Sequence, residues 1–405
     1  MEYSIAIDTM WVLMGTALVL FMQAGFAMVE TGFTRAKNAG NIIMKNIIDL
    51  SVGSIMFWTI GFSIMFGLDM GGYIGQIDLF SSGSFEHLGL NIPKEAFLIF
   101  QTVFCATAAT IVSGAMAERT KFVAYIAYSI ILSTIIYPVA GHWIWGGGWL
   151  AQQGFHDFAG STTVHSLGGW AALVGAKIIG PRVGKYSKSG RSNVIQGHSI
   201  TLGALGVFIL WFGWFGFNAG STLSGTDFSS ISHIFLTTNL AAAAGTVSAM
   251  VISFIRYGKP DVSITLNGAL GGLVAITAGT DIVGPTGAVI IGIIAGAVVI
   301  FSIEMIDKVL KIDDPVGAIA VHGLCGAVGT ALVGIFAVDG GLLYGGGLEL
   351  FRVQIIGIIA VAFWTLLTCT IMFKLIDLTI GLRVAEEEEE NGLDIVEHNF
   401  EGYAS

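Results

Sequence analysis

Two stretches of this 405-residue chain read alike: "DFAGSTTVHSLGG" at residues 157–169 and "DPVGAIAVHGLCG" at residues 314–326. Both place an aspartate eight residues before a histidine, and both share Gly, Val, Leu and Gly in register. Each histidine sits inside an apolar segment, where ionisable side chains are costly and are usually functional. These two matching stretches predict an internal repeat, with a functional site where the two copies meet.

The composition is that of a membrane protein. Hydrophobic residues make up 54% of the chain and charged residues only 11%, with a mean hydropathy of +0.80, whereas a soluble domain carries about 25% charged residues. Apolar runs of about 20 residues, long enough to cross a bilayer as a helix, recur along it. We expect an all-α polytopic membrane protein with eleven transmembrane helices. The predicted helices cover residues 8–33, 44–67, 96–117, 122–140, 162–180, 197–217, 233–255, 262–280, 284–306, 316–338 and 351–376.

Basic residues set the expected orientation, because cytoplasmic loops carry an excess of Lys and Arg. If the N-terminus lies outside, every basic residue except Lys94 and Arg352 falls on the cytoplasmic side. The sequence therefore predicts an N-out, C-in topology. The N-terminal segment lacks the basic start of a signal peptide, so we expect the first helix to be retained. Residues 1–376 would form the transmembrane domain and residues 377–405 a cytoplasmic tail.

In this topology the helix after Asp157 enters from outside and the helix after Asp314 enters from inside. The two copies would then run antiparallel, as in the inverted repeats of transporters, giving a 5+5 repeat with the eleventh helix as an addition. Eight helical residues rise about 12 Å, close to half of a hydrocarbon core of about 30 Å. His165 and His322 are thus expected at similar depth.

Each of these residues has a second interpretation. Aspartate before a helix, followed by proline as in Asp314-Pro315, is also an ordinary pattern for a helix start, with the proline at the first helical position. The histidines could be packing residues, but neutral imidazoles in equivalent places can share a hydrogen bond and can offer a donor or acceptor to a passing solute. A metal site is not expected, since two histidines supply only half of a tetrahedral ligand set.

Aromatic residues cluster on the outer halves of predicted helices 3, 4 and 6. The cluster comprises Phe97, Phe100, Phe104, Trp143, Trp145, Trp149, Trp211, Trp214, Phe215 and Phe217, followed by Ser221. An interfacial belt would explain any single ring, but ring faces also attract cations. With no carboxylate expected below the rings, the pattern favours a small cation that sheds a proton and crosses as a neutral molecule. We expect no enzyme, because no nucleophile–base pair or cofactor motif is found, and no nucleic-acid partner.

Longer motifs carry a resemblance to a known family. They are "GFTRAKN", "AERTKF", "GHWIWGGGWL", "DFAGSTTVHSLGG", "WFGWFGFNAGS", "DDPVGAIAVHGLCG" and "GLRVAEEEEENGLDIVEH". Through these motifs the chain resembles the ammonium transporter (Amt) family of the Amt/Rh superfamily over essentially its whole length. The resemblance implies a homotrimer in the cell (cytoplasmic) membrane, in which each subunit has its own pore for nitrogen uptake as ammonium, with methylammonium as an analogue.

The resemblance also assigns roles to single residues. The substrate-binding residues would be Trp145, Phe104, Ser221 and Asp157; the gate would be Phe104 and Phe217; and the pore residues would be His165 and His322, the twin-histidine pair, with Trp214 and Gln101. No cofactor is implied. The tail would meet the cytoplasmic loops and would respond to a PII-type signalling protein (GlnK).

Two places depart from the family pattern: Val29-Glu30, where many members have an aromatic pair, and Gly317, where many have an acid. Glu30 lies near the inner end of its helix, so we expect it to face the cytoplasmic loops rather than the pore. Ammonium would lose its proton near the gate and cross as ammonia, with the histidines relaying the proton, which makes net transport electrogenic.

Two other functions stay open. One is an ammonium sensor that signals through its tail, and the absence of an appended kinase or cyclase module from the sequence argues against it. The other is a channel for neutral ammonia or carbon dioxide. The tryptophan-containing vestibule and Ser221 argue against that second function.

Overall fold

Helices dominate the computed structural model, which describes residues 2–403. The α-helices are α1 Glu2–Phe33, α2 Ala39–Met56, α3 Phe62–Phe66, α4 Lys94–Ala115, α5 Phe122–Ile131, α6 Tyr137–Ile144, α7 Trp149–Gln152, α8 Leu167–Ile179, α9 Ile200–Gly220, α10 Phe228–Tyr257, α11 Val262–Ile276, α12 Pro285–Glu304, α13 Cys325–Phe336, α14 Glu349–Thr379, α15 Glu386–Asn391 and α16 Leu393–His398. The 3₁₀ turns are Ala36–Asn38, Leu79–Ser81, Glu86–Leu88 and Leu342–Tyr344.

Five π-helical turns join or begin these helices. They are Phe57–Gly61, Leu132–Ile136, Ser161–Ser166, Met305–Val309 and Ile319–Leu324. The loop between α3 and α4 holds one small antiparallel hairpin, β1 Asp69–Met70 with β2 Ile74–Gly75, in which Asp69 pairs with Gly75. We call this side of the molecule the hairpin end. The opposite side, where residues 380–403 pack, is called the tail end.

Nine helices among the described residues are long and apolar enough to cross a membrane. Their bounds are Tyr3–Phe33, Ala36–Phe66, Lys94–Ala115, Phe122–Gln152, Ile200–Gly220, Phe228–Tyr257, Pro285–Val309, Ile319–Phe336 and Glu349–Thr379. Two predicted helices fall outside this set: Val262–Ile276 is apolar but short, and residues 161–179 are a π turn followed by α8. Each predicted segment thus contains helical structure, but in residues 2–403 length and composition single out nine helices rather than eleven.

The two repeated stretches cross at the centre of the molecule. The π turn Ser161–Ser166 contacts the π turn Ile319–Leu324, and each turn also packs on the helix that follows the other. Glycines permit this contact, because a Cβ at Gly169 would lie 2.1 Å from the backbone nitrogen of Gly323. Small residues in apolar helices let backbones approach this closely. The glycines after each histidine therefore allow the two helical segments to cross in direct contact.

Each π turn is preceded by an aspartate whose carboxylate accepts backbone N–H groups. Asp157 accepts from the nitrogens of Gly160 and Thr162, at 3.0 and 2.9 Å, and Asp314 accepts from those of Gly317 and Ile319, at 3.0 and 2.8 Å. The offsets of three and five residues are the same in both copies. Both aspartates therefore bond N–H groups of the loop and the following turn, but neither is the N-cap residue itself, which is Gly160 in one copy and Ala318 in the other.

The loop after each aspartate requires a glycine, and the helical turn begins later than the sequence predicts. Gly160 and Gly317 have φ of 110° and 80°, a left-handed conformation that side chains with a Cβ rarely adopt. Pro315 is not at the first helical position as predicted, since the turn begins at Ile319. Instead, each aspartate side chain bonds across a short loop. This loop leads into the helix that carries the histidine.

Gly169→Ala is expected to destabilise the folded protein. The added methyl group would overlap the Gly323 backbone, and overpacking of this kind costs roughly 1–3 kcal/mol. The melting temperature of the detergent-solubilised protein, followed by size-exclusion chromatography, should fall by several degrees. Gly284→Ala is the matched control, because its Cβ would meet only Val338 Cγ2 at 3.7 Å. Equal melting temperatures for the two variants would contradict the crossing as described.

Candidate functional site

The two histidines of the repeat meet inside the molecule. The Nδ1 atoms of His165 and His322 lie 3.2 Å apart, and the rings are stacked at 20° with centroids 5.2 Å apart. One Nδ1 must therefore donate and the other accept, so the two rings differ in where they carry a proton. Nε2 of His165 is buried and has no hydrogen-bond partner in residues 2–403. The pair thus leaves a polar nitrogen free in an apolar interior.

Aromatic rings form the wall beside the pair. Trp214 stacks on His165 with centroids 4.9 Å apart and an angle of 17°. Its Nε1 donates to Thr277 Oγ1 at 2.8 Å, which fixes the indole plane. Phe26 approaches His322 at 5.9 Å. The predicted pore residue Trp214 is therefore brought to the histidines and held there.

Phe104 and Phe217 lie on the hairpin side of the histidines. Their rings stack with centroids 4.1 Å apart at 24°, and both are buried. Phe217 approaches His165 at 5.2 Å, while the edge of Phe104 meets Trp145 at 6.1 Å and 76°. The five rings therefore follow one another in the order Trp145, Phe104, Phe217, His165, His322.

A recess of about 320 Å³ opens at the hairpin end of this column. Its lining comprises Phe66, Phe97, Phe100, Gln101, Phe104, Ile144, Trp145, Phe158, Ser221 and Leu223. Ser221 Oγ donates to the Phe217 carbonyl at 2.9 Å, which leaves its lone pairs to accept. Gln101 Oε1 is buried without a partner in the described part of the chain. A small cation in the recess would find ring faces and two neutral oxygen acceptors.

Asp157 reaches the recess only through its backbone. Trp145 Nε1 donates to the Asp157 carbonyl at 2.7 Å. The carboxylate turns inward, where its Oδ2 also accepts from the nitrogen and Oγ1 of Thr163, both at 2.8 Å. Asp157 is thus positioned to hold the indole of Trp145 in place.

Glu30 is placed differently from the expectation drawn from the sequence. It does not face the cytoplasmic loops but lines a cavity of about 20 Å³ together with Val29 and His322. The expectation that no carboxylate lies below the aromatic cluster is therefore wrong. The interpretation failed because helix α1 packs against α4 and α9, which turns Glu30 inward, and position along a helix does not reveal its facing direction.

The tail packs on the loops at the tail end. The buried carboxylate of Glu389 accepts from the Val183 nitrogen at 2.8 Å and from Arg383 Nη2 at 2.7 Å. Asp394 accepts from the nitrogens of Gly40 and Asn41, at 3.0 and 2.7 Å, so it caps the N-terminus of α2. Helix α14 itself continues to Thr379, three residues past the predicted end of the transmembrane domain at residue 376.

An ion-pair cluster lies beneath the tail. Arg182 makes bidentate hydrogen bonds to Asp313, with Nε–Oδ2 and Nη2–Oδ1 distances of 2.8 and 2.9 Å. Glu118 pairs with both Arg182 and Arg35. Burial alone would raise the pKa of Asp313, but the hydrogen bonds from Arg182 hold it well below its ordinary value. Asp313 therefore stays ionised, and its hydrogen bonds with Arg182 tie together the loops on which the tail rests.

His156 was missed by the sequence analysis, although it directly precedes Asp157. Its Nε2 lies 3.0 Å from Asp281 Oδ1, and its backbone nitrogen donates to Gln354 Oε1 at 2.9 Å. Burial lowers the pKa of His156, but the hydrogen bond and charge of Asp281 outweigh it and raise the pKa above 6.5. The sequence signal was a single histidine in a loop. A loop has no hydrophobic periodicity that would mark such a residue as functional.

The nine apolar helices and the buried column of polar and aromatic groups define a multi-pass membrane transport protein. The chain belongs to the Ammonium Transporter Family, whose model matches residues 10–403. The family is one of transporters rather than enzymes. Ammonium transport and a transmembrane location are thus properties of the family to which the chain belongs.

Named relatives and solved structures agree with this assignment. The chain is 47% identical to ammonium transporter Amt2 of Archaeoglobus fulgidus, over 98% of this chain and 88% of that protein. It is 40% identical to ammonium transporter Amt1 of Haloferax mediterranei, over 98% of this chain and 79% of that protein. A structure described as "Sensor Amt Protein" matches with a TM-score of 0.94 and 42% identity, over 98% of this chain and 100% of that one. Candida albicans Mep2 matches with a TM-score of 0.87 and 28% identity, over 95% of this chain and 87% of that one.

The His156–Asp281 pair predicts a pH-dependent stability. Because the folded-state pKa of His156 is raised, its stabilising contribution is present below the unfolded pKa of about 6.5 and is lost as the pH rises through the folded value. Asp281→Asn should therefore lower the melting temperature most at about pH 6 and least at about pH 9. Exposed Asp339→Asn is the control. A melting-temperature difference that is independent of pH would show that the pair is not ionic.

Proposed function

We propose that this chain is an ammonium transporter of the cell membrane that recruits NH4+ at the recess and passes NH3 along a column of rings and past the histidines. The single observation that carries the proposal is the column of rings that runs from Trp145 through the stacked phenylalanines to the buried His165–His322 pair. The recess at its head offers ring faces and the acceptors Ser221 and Gln101. Between the recess and the histidine pair, the described part of the column offers a cation only rings and imidazoles.

The topology proposed for this function has eleven transmembrane helices in an inverted 5+5 repeat plus one helix. The N-terminus lies outside and the tail inside, so the hairpin end faces outward. The crossing of the two matched aspartate–histidine stretches supports the repeat. Residues 1–376 form the transmembrane domain and residues 377–405 the cytoplasmic regulatory tail.

The transport step follows from desolvation. An NH4+ ion in the recess exchanges hydration for cation–π contacts with Trp145 and Phe104 and for an acceptor at Ser221. Carrying the charge past Phe104 and Phe217 would cost far more, because no carboxylate among the described residues lines the column between the recess and the histidine pair, and Glu30 lies beyond it at the cavity shared with His322. The ion therefore gives up a proton at the gate to Nε2 of His165, which has no hydrogen-bond partner in residues 2–403, and NH3 moves on. Asp157 serves this site by fixing Trp145.

The proton takes part in the transport as well. The Nδ1–Nδ1 hydrogen bond of His165 and His322 allows a proton to be taken up at one ring and released from the other. NH3 and the proton then arrive on the same side, so one positive charge crosses for each ammonium. Transport is electrogenic in this mechanism.

The assembly is a homotrimer with one pore in each subunit, and the cytoplasmic partner is a PII-type protein (GlnK). Charged groups that hold the tail, such as Glu389 with Arg383, support a regulatory tail because such contacts can be broken and remade. A partner seated on the tail would bear on the loops that surround the tail-side opening.

Current on a solid-supported membrane tests the mechanism. Purified protein in liposomes should give a saturable current after an ammonium jump, with methylammonium as the analogue. His165→Ala combined with His322→Ala should lower the current by about tenfold or more, because acid–base groups contribute factors of that size or larger. An internal pH dye reports neutral flux in parallel.

The control for these variants is Trp58→Leu, which changes a partly exposed ring away from the column. If the wild-type protein gives no current while the dye still reports ammonia entry, the protein is a channel for the neutral gas. If His165→Ala abolished ammonium selectivity without changing proton dependence, the relay would be wrong.

An ammonium sensor is the second candidate, because one structural relative, 42% identical, is described as "Sensor Amt Protein". A sensor would bind ammonium at the same recess and move its tail with little flux. Silence in both the current and the dye assay, together with ammonium binding, would favour this function.

Glu389→Gln should release the tail. The substitution removes the charge that holds Arg383 and the Val183 nitrogen, and charged hydrogen bonds contribute about 1.5–3 kcal/mol. Hydrogen exchange of the amides in residues 385–398 should speed up by roughly tenfold or more. Glu387→Gln, at an exposed position of the same helix, is the matched control. Equal exchange in the two variants would contradict docking through Glu389.

A further inference from the structure

We infer that Glu30 is the proton-exchange residue on the tail side of the histidine pair, where its carboxyl group protonates ammonia that has passed His322. This inference rests on the proposed function and deepens it. The proton moves from the Glu30 carboxyl to NH3, which gives a carboxylate and NH4+. The carboxylate is then reloaded with the proton that the histidines release, so atoms and charge balance over one cycle.

The position of Glu30 is the first argument. The cavity of about 20 Å³ that it shares with His322 has room for roughly one water-sized molecule. Asn267 and Val316 line this cavity and also a larger tail-side vestibule of about 670 Å³. Glu30 therefore stands between the histidine pair and the vestibule, where a neutral molecule leaving the column meets its first acid.

The Glu30 carboxyl group is positioned by a hydrogen bond and keeps other acceptor positions open. Glu30 Oε2 accepts from Asn46 Nδ2 at 3.3 Å. Asn46 is fixed in turn, because its Oδ1 accepts from Thr110 Oγ1 at 2.9 Å and its carbonyl accepts from Gln23 Nε2 at 3.1 Å. One amide hydrogen bond is a light constraint for a group with two oxygens and about four acceptor positions. Ser113 also interacts with this carboxyl group, and the acceptor positions that the two neighbours leave are open to a proton or a passing N–H group.

A buried counter-charge is the second argument. Lys45 is 1% exposed, and its Nζ has no hydrogen-bond partner in residues 2–403. It interacts electrostatically with Glu30 and Asp49 and lies 5.5 Å from the ring centroid of Tyr125. An ammonium group in this place offsets the ionised form of one carboxyl. Lys45 also interacts with Glu397 and Arg119, so these charges together with Asp49 set the electrostatic surroundings of Glu30.

The charged groups around Glu30 differ in whether they line the cavity. Asp49 accepts hydrogen bonds from Tyr125 Oη and from Ser129 Oγ, the latter at 2.7 Å, so its oxygens are engaged away from the cavity. Lys45 and Asp49 do not line the cavity, whereas His322 and Glu30 do. Within this cluster Glu30 is the acid that can touch the substrate, and Lys45 and Asp49 set its charge balance.

The experiment compares Glu30→Gln with Asp8→Asn in reconstituted liposomes. Asp8 is a buried carboxylate at the hairpin end of the same helix, bonded by Thr226 and Ser224. Glu30→Gln should reduce the ammonium current by about tenfold or more, while ammonia entry measured with the pH dye stays near the wild-type level. Asp8→Asn should keep the wild-type current.

Infrared difference spectroscopy of the wild-type protein gives a second readout. Addition of ammonium should deplete the carbonyl band of a protonated carboxylic acid, and the band should be missing in Glu30→Gln. If the glutamine variant does not fold, Glu30→Asp keeps the carboxyl group and should shift the band. A shift supports the inference, and an unshifted band overturns it.

The failures are distinguishable. Wild-type current that persists unchanged in Glu30→Gln would overturn the inference and leave the proposed function standing. An absence of current in the wild-type protein would overturn both. An infrared band that survives in Glu30→Gln would assign the proton to another acid and overturn the inference by itself.

Discussion

The contact between His165 and His322 is the constraint on which the rest of the structure depends. Two imidazoles can share a 3.2 Å hydrogen bond at this depth only if the helices that carry them cross with almost no space between their backbones. Gly169 and Gly323 provide that approach. The aspartate-capped loops before each π turn then bring the chain to the crossing from opposite sides, so the same short motif positions both rings.

The polar groups of the membrane-spanning region form a graded series. The recess combines ring faces with neutral oxygens, the gate is purely aromatic, the pair at the centre is weakly basic, and a carboxyl group follows on the tail side. In the proposed function, desolvation and the order of these groups would favour NH4+ at the recess, NH3 along the rings and NH4+ again beside the carboxyl group.

At the tail end, the structure links the helices to the C-terminal segment through buried charge. Asp394 caps helix α2, and Glu389 joins Arg383 to the loop after α8. Buried ion pairs of this kind are costly to break on one side only. These contacts therefore hold the tail against the loops on which it packs.

The sequence by itself determined the helical membrane fold, the two aspartate–histidine stretches and the family, because hydropathy and motif spacing are properties of the chain alone. It also indicated that the histidines lie at similar depth. Only the tertiary structure decided that Glu30 turns toward His322, that the Asp157 carboxylate points inward, that Pro315 lies outside the helix and that His156 pairs with Asp281. These outcomes depend on which face of a helix its neighbours cover and on which loop ends meet, and both are set by packing between segments far apart in the chain.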